Sequence, residues 1–363
     1  MKEYDQSNLQ HTNRDILPEV DNLRNAWSLA LDSSALIQIE PLLPVWMTFL
    51  RNRGWFHEAI ESLTAVDSKC AGDRSLLMMR VGAKNYLGEF YYHLGRHLDG
   101  ITALNDGLSL LRENGLEGTK EQASIYLLLA NNYGSLGWHV EAKDICLKGM
   151  EIAEKAGELS LAFQFANTLG VGEYLVADYP NAILYTRLAL DMAIQLYDNG
   201  KIVQALNNLG NMLYESGDIQ QARLTQARAL EYLPGIDGLT LKASVLDTMG
   251  NILTASGEYE SACHQFLQGL NLIRDIDAAP LAVEMLVGLA ELLNRMGERS
   301  LALSFATVLA GHPAAAREVG FRVDNLLKEL STQPIEPSAY NWSPNQIPTM
   351  IEDAIHILEE KLK

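Results

Sequence analysis

Apolar residues in this chain recur three and four apart. Val203, Leu206, Leu209, Met212 and Leu213, for example, fall at the spacing that places them on one face of a helix. No stretch alternates apolar and polar residues in the two-residue beat of a half-buried strand. Breaker-rich intervals such as LPGIDGLT (233–240) and RDIDAAP (274–280) separate the periodic stretches and predict loops between helices. The chain is therefore expected to be all-α.

The helical pattern itself repeats. The segments RGWFHEA, LGRHLDG, LGWHVEA, ADYPNAI, SGDIQQA, SGEYESA and MGERSLA recur, with turn positions at Gly54, Gly95, Gly137, Ala177, Gly217, Gly257 and Gly297. Their spacings are 41, 42, 40, 40, 40 and 40 residues. Five residues after each turn stands a small residue: Ala59, Gly100, Ala142, Ala182, Ala222, Ala262 and Ala302. Seven before it stand Gly88, Ala130, Gly170, Gly210, Gly250 and Ala290, each preceded by a large apolar residue; the first repeat, with Trp46 and Met47, departs from this rule. The pattern predicts two antiparallel helices per repeat. A left-handed turn residue ends the first helix, and small residues let the two helices approach closely.

Large-then-small in the first helix, a glycine turn and an alanine in the second resemble the tetratricopeptide repeat from about Glu40 to Pro313. The departure is the period of about 40 rather than 34 residues, which adds nearly one turn to each helix. HEAT and armadillo repeats share the longer period but do not require a small residue five positions after a glycine turn. The resemblance implies an α-α superhelix, a TPR-like solenoid of about seven hairpins over residues 40–312. An N-terminal flanking helix would lie in 1–39, a capping helix in 313–331, and a proline-containing linker with a last helix in 332–363.

The flanks narrow the resemblance. LPEVDNLRNAWSLAL (17–31) is similar to the helix that leads into the repeats of the bacterial STAND-type ATPases, including regulators related to the maltose activator. LALSFATVLAGHPAAAREVGFRVDNLLKEL (301–330) is similar to their terminal repeat and capping helix. Pro334, Pro337, Pro344 and Pro348 then lead to an amphipathic stretch near Thr349 to Leu362, which resembles their short tail. This implies a ligand- or protein-sensing arm that gates an upstream ATPase. No GxxxxGK[ST] motif is present; Asn199-Gly200-Lys201-Ile202 lacks the first glycine and the hydroxyl residue. The beginning just before a family-like helix favours an excised sensor domain, and the alternative is a stand-alone adaptor that docks a peptide or protein.

In a tetratricopeptide array the first helix of each pair lines the concave surface, with positions ten, six and three before the turn pointing into it. These positions supply a candidate groove of Asn85, Glu89, Tyr92, Asn131, Asn167, Tyr174, Asn207, Asn211, Tyr214, Asp247 and Asn251, richest in repeats four to six. Amides donate and accept, and tyrosine offers a flat apolar face with a polar tip, which suits a peptide backbone or a hydroxyl-rich small ligand. The same asparagines could equally bond neighbouring helices, and both readings stay open. A carboxylate clamp is disfavoured, because the groove positions are neutral or acidic.

Composition trims the remaining options. Of 363 residues 48% are hydrophobic and 20% charged, and no apolar run approaches the roughly 18 residues needed to cross a bilayer. The polar, mixed-charge N-terminus lacks the order of a signal peptide, so a cytoplasmic protein is expected. A net charge of −18 repels phosphate backbones and anionic lipid, which argues against nucleic-acid and membrane partners and leaves a protein, a peptide or a small-molecule signal. Cys70, Cys146 and Cys263 are too far apart for a CxxC site and read as buried hydrophobes. His93 and His97 stand four apart, but the turn at Gly95 breaks their register, so no metal is expected. Cys263 and His264 point about 100° apart on a helix, and no nucleophile, hydrolase or cofactor motif stands elsewhere. No cofactor and no enzymatic activity are expected.

Overall fold

The computed structural model of the protein describes residues 19–32, 36–276, 278–332, 335, 340 and 342–363. Among them every regular element is helical. Pro334, Pro337 and the first two residues of the 17–31 segment lie outside the described residues. The chain divides into two compact units, 1–178 and 179–363.

Unit 1 carries α1 (Val20–Asp32), α2 (Leu36–Ile39), α3 (Leu43–Asn52), α4 (Phe56–Cys70), α5 (Leu77–His93), α6 (His97–Glu113), α7 (Lys120–Ser135), α8 (His139–Lys155) and α9 (Leu159–Leu175). Successive helices pack pairwise, α5 on α6 and α7 on α8 most extensively. Helices α5, α6, α8 and α9 are each 17 residues long. Two such helices already fill a 34-residue period, so the longer repeat leaves room for the turns. The core runs through Met47, Leu50, Leu63 and Phe90, then Leu104, Leu111, Ile125 and Leu129.

The first repeat is atypical because Met47, fully buried in the core, stands where the later repeats have a small residue. Trp46, at the large position, stacks on Phe49 at 5.5 Å and meets Trp27 of the flanking helix α1 at 6.3 Å. In the second repeat the small residues do what the pattern predicts. A Cβ on Gly88 would sit 2.4 Å from Leu104 Cγ, closer than packed atoms tolerate, and one on Gly100 would press on the Gly88 carbonyl oxygen at 3.2 Å.

The turns share one geometry. At Gly95 the backbone is left-handed, its N–H bonds the Tyr92 carbonyl at 2.9 Å, and the N–H of Arg96 bonds the Tyr91 carbonyl at 2.8 Å. The turn without glycine keeps that form: Ala177 has φ +60°, with matching bonds from Ala177 to Tyr174 and from Asp178 to Glu173.

Unit 2 carries α10 (Tyr179–Gln195), α11 (Asn199–Glu215), α12 (Ile219–Tyr232), α13 (Leu239–Ala255), α14 (Tyr259–Ile273), α15 (Ala279–Arg295), α16 (Arg299–Leu309), α17 (Arg317–Leu330) and α18 (Ile347–Lys361). Its core gathers Phe266, Met285, Leu289 and Phe305. α17 closes this core with Val319, Val323, Leu326 and Leu330, a stripe at helical spacing. α18 packs on α14 and α15. Trp342 lies 4.5 Å from the Phe305 ring and donates its indole N–H to Asp353 Oδ2 at 2.7 Å, which ties the entry of α18 to the core. Helix α17 thus lies within the 313–331 segment, and α18 starts two residues earlier than Thr349.

Candidate functional site

Three of the predicted groove residues meet in one place. Tyr92, Asn131 and Asn167 line a cavity of about 540 Å³ within unit 1, walled by α7, α8 and α9 with Tyr92 from α5. Asn131 and Asn167 sit on the first helices of adjacent repeats, so the repeat spacing brings their amides to the same opening. Gly134 and Gly172 leave the wall bare, since a Cβ on either would meet nothing within 4 Å. The rim is apolar: Val140 is 80% exposed, and Val171, Leu175 and Val176 are exposed beside it. Lys143 Nζ lies 2.5 Å from Glu173 Oε1, so the buried carboxylate in the wall is neutralised. Burial pushes the Cys146 thiol up to about 12, so it carries no thiolate at neutral pH. The Tyr92 ring meets His93 and His97 edge-on, both at 5.6 Å, which fixes its orientation.

Other predicted positions are placed differently. Asn85 lines a separate cavity of about 450 Å³, its buried Oδ1 without a hydrogen-bond donor. Glu89 accepts from Arg51 Nη1 at 2.6 Å, joining the first two repeats. Tyr174 is half-buried in the last turn of α9, and Asn211 is half-buried on α11. Asn207 accepts from Gln226 Nε2 at 2.8 Å, and that nitrogen also donates to the Val245 carbonyl at 2.8 Å, so this asparagine bonds neighbouring helices.

Tyr214, Asp247 and Asn251 gather in unit 2 around a residue that the periodicity did not single out. Arg322 of α17 donates from Nε to Glu291 Oε1 at 3.1 Å and from Nη2 to Glu291 Oε2 at 2.6 Å. Its Nη2 also donates to Asn251 Oδ1 at 2.9 Å, and Asn251 Nδ2 donates to Asp247 Oδ2 at 3.3 Å. Asp247 and Asn251 are buried there. Gly288 makes room for this amide, because a Cβ at that position would lie 2.5 Å from Asn251 Oδ1. Tyr214, Glu291 and Arg322 line an adjoining cavity of about 270 Å³. Burial, reinforced by Glu284, holds the Asp247 carboxyl well above the ordinary carboxylate range despite the opposing pull of Arg322. Burial likewise raises Glu284 and the Tyr214 hydroxyl. The available signal for Arg322 was a basic residue beside the apolar stripe of a capping helix, facing acidic first-helix positions.

Among the described residues no group of three or more His, Cys, Asp or Glu side chains is arranged to hold a metal, and no helix is long and apolar enough to cross a membrane.

No protein-family model matches the sequence, and no curated protein matches it. Solved structures do. The chain is similar to the Signal Transduction ATPase with Numerous Domains protein with a tetratricopeptide repeat sensor from Pyrococcus horikoshii, at 13% identity and TM-score 0.60. That match covers 98% of this chain and 49% of that one. It is also similar to the apo form of RapI, at 13% identity and TM-score 0.60 over 80% of this chain and 99% of that one. A Rap protein complexed with competence and sporulation factor matches at 16% identity and TM-score 0.56 over 79% and 74% of the two chains. With glycine-type turns, close-packed helix pairs and these likenesses together, the chain has the all-α fold of a tetratricopeptide-type solenoid.

Proposed function

We propose that the protein is a recognition module without catalytic activity, which grips an extended peptide segment of a partner in the cavity of unit 1. The observation that carries this reading is the convergence of Asn131, Asn167 and Tyr92 on an opening rimmed by exposed Val140, Val171, Leu175 and Val176. Amides can pair with a peptide backbone while the bare, apolar wall accepts one large apolar side chain. A Rap protein of similar fold is complexed with competence and sporulation factor. That supports the use of this scaffold for recognition.

The sensor arm of a STAND-type signalling ATPase or transcriptional regulator is the setting we favour. Its support is the likeness of the flanking segments at 17–31 and 301–330 to that family, together with the fold shared with a tetratricopeptide sensor. A stand-alone adaptor is distinguished by the genomic reading frame, since an ATPase module in frame upstream favours the sensor arm. Binding itself is tested by selecting peptides from a random displayed library against the full chain, then measuring affinity for the double variant Val171→Asp/Val176→Asp. Both residues are exposed, so the fold tolerates the change. A loss of roughly tenfold or more is expected from placing charge in an apolar contact. Selected peptides that bind the double variant unchanged overturn the assignment of this cavity.

A further inference from the structure

Arg322 is set in unit 2 as a ligand would be. Its guanidinium reaches from α17 across to α13 and α15, making a two-point bond to Glu291 and a third bond to Asn251. Around it stand three carboxyl groups, those of Asp247, Glu284 and Glu291. Asp247 is 2% exposed, and its Oδ1 has no hydrogen-bond donor at all. A buried acceptor left unpaired is costly, and native proteins keep few of them without cause. Gly288 preserves the space in which Asn251 can turn its oxygen towards a planar cation. The Arg322 side chain is itself 21% exposed and borders the 270 Å³ cavity, so it can rotate outwards while Val319, Val323 and Leu326 keep α17 in place.

We propose that Asn251, Glu291 and Asp247 form a receptor site for an alkylguanidinium group, occupied in this structure by Arg322 and opened to an arginine-bearing ligand when Arg322 swings aside. The planar, forked donor set matches the site in a way that a point-charge ammonium does not. The site lies wholly within unit 2 and shares no residue with the peptide cavity of unit 1.

The test has two arms. In the first, Arg322→Ala is titrated with propylguanidinium and propylammonium, and thermal stability and calorimetric binding are read. Saturable stabilisation by propylguanidinium is expected, roughly tenfold weaker for propylammonium because the forked geometry is lost, and absent in Arg322→Ala/Glu291→Gln. In the second, the unaltered protein is titrated with L-arginine amide and with the peptide Gly-Arg-Gly while the Arg322 Nε resonance is followed by NMR. Movement of that resonance to the position of a solvated arginine is expected, and the more potent of the two probes tells a free arginine-like molecule from a peptide side chain. A folded Arg322→Ala protein indifferent to propylguanidinium overturns the proposal. So does an Nε resonance unmoved at saturating probe, a measurement that holds even if the variant does not fold.

Discussion

The first-helix positions of unit 1 and unit 2 obey one repeat rule and end in opposite chemistry. In unit 1 they open onto a cavity whose walls are bare backbone and aliphatic side chains, with the nearby carboxylate of Glu173 matched by Lys143. In unit 2 the same positions hold Asp247, Asn251 and Glu291, and an arginine from the unit's own capping helix lies across them. A scaffold defined by its turns and small residues thus leaves its groove chemistry free, which is why fold alone does not fix what is bound.

The largest expected difference between the units comes from removing that arginine. Arg322→Ala leaves Asp247, Glu284 and Glu291 facing one another without their cation, and breaking a buried pair in this way costs about 3 kcal/mol. Hydrogen exchange should accelerate in α13, α15 and α17. If α5 to α8 of unit 1 lose protection to the same extent, the effect is not local to the site.

Acidity should separate the units in sign. In unit 2 burial and Glu284 raise Asp247, and burial raises Glu284, so the folded state binds more protons there than the unfolded chain. Stability from this cluster is therefore present at low pH and lost as pH rises above the ordinary carboxylate range towards the raised values. The groups that set it are Tyr214 and Glu215 from α11, Asp247 from α13, Glu284 and Glu291 from α15, and Glu318 and Arg322 from α17. In unit 1 burial pushes Asp67 up, but hydrogen bonds from Arg80 and Lys84 outweigh it and hold the carboxyl below its usual value. Its contribution is present above about pH 4 and lost as pH falls further. Protection of α13 and α15 should rise as pH falls towards the ordinary carboxylate range, and Asp247→Asn should reduce that rise, leaving the share that belongs to Glu284. A flat profile in the unaltered protein contradicts the buried cluster.

Glycines sharpen the comparison by a smaller amount. Gly88→Ala forces a Cβ to within 2.4 Å of the fully buried Leu104 and should cost about 2 kcal/mol by overpacking. Gly134→Ala meets nothing, so the fold should be unharmed or gain about 0.5 kcal/mol of helix stability, while the cavity of unit 1 narrows. Equal losses of melting temperature for the two variants would remove the distinction between a glycine kept for helix approach and one that bares a wall.

The repeats, their turns and the small residues at the crossings were legible because each is a local demand of the backbone that returns every forty residues. Outside the repeats the reading rested on other signals, a family likeness over 301–330 and an amphipathic stretch near Thr349 to Leu362. Arg322 was not legible, because its bond to Asn251 spans 71 residues and belongs to no period. The cavity of unit 1 was legible in part: Asn131 and Asn167 stand at periodic first-helix positions, whereas the opening itself depends on the side chains that Gly134 and Gly172 lack.

The smallest effect probes the one turn that breaks the glycine rule. Ala177 holds φ +60° with the same pair of carbonyl bonds that close the turn at Gly95, so the surrounding helices impose a left-handed backbone on a residue with a Cβ. That conformation costs an L-residue roughly 1 kcal/mol, whereas glycine adopts it freely and instead loses more entropy on folding. Relief of strain outweighs that entropy at a position already fixed as left-handed, so Ala177→Gly should raise stability by about 0.5–1 kcal/mol. Gly95→Ala should lower it by a similar amount, since it creates at the second repeat the strain that Ala177 carries at the fourth. The pair is best read by denaturant midpoints at unchanged slope, because a change in slope would mean altered compactness rather than turn strain. If Ala177→Gly destabilises instead, the turn is held by packing of its methyl group, and the seven turns are not equivalent in energy even though they share a geometry.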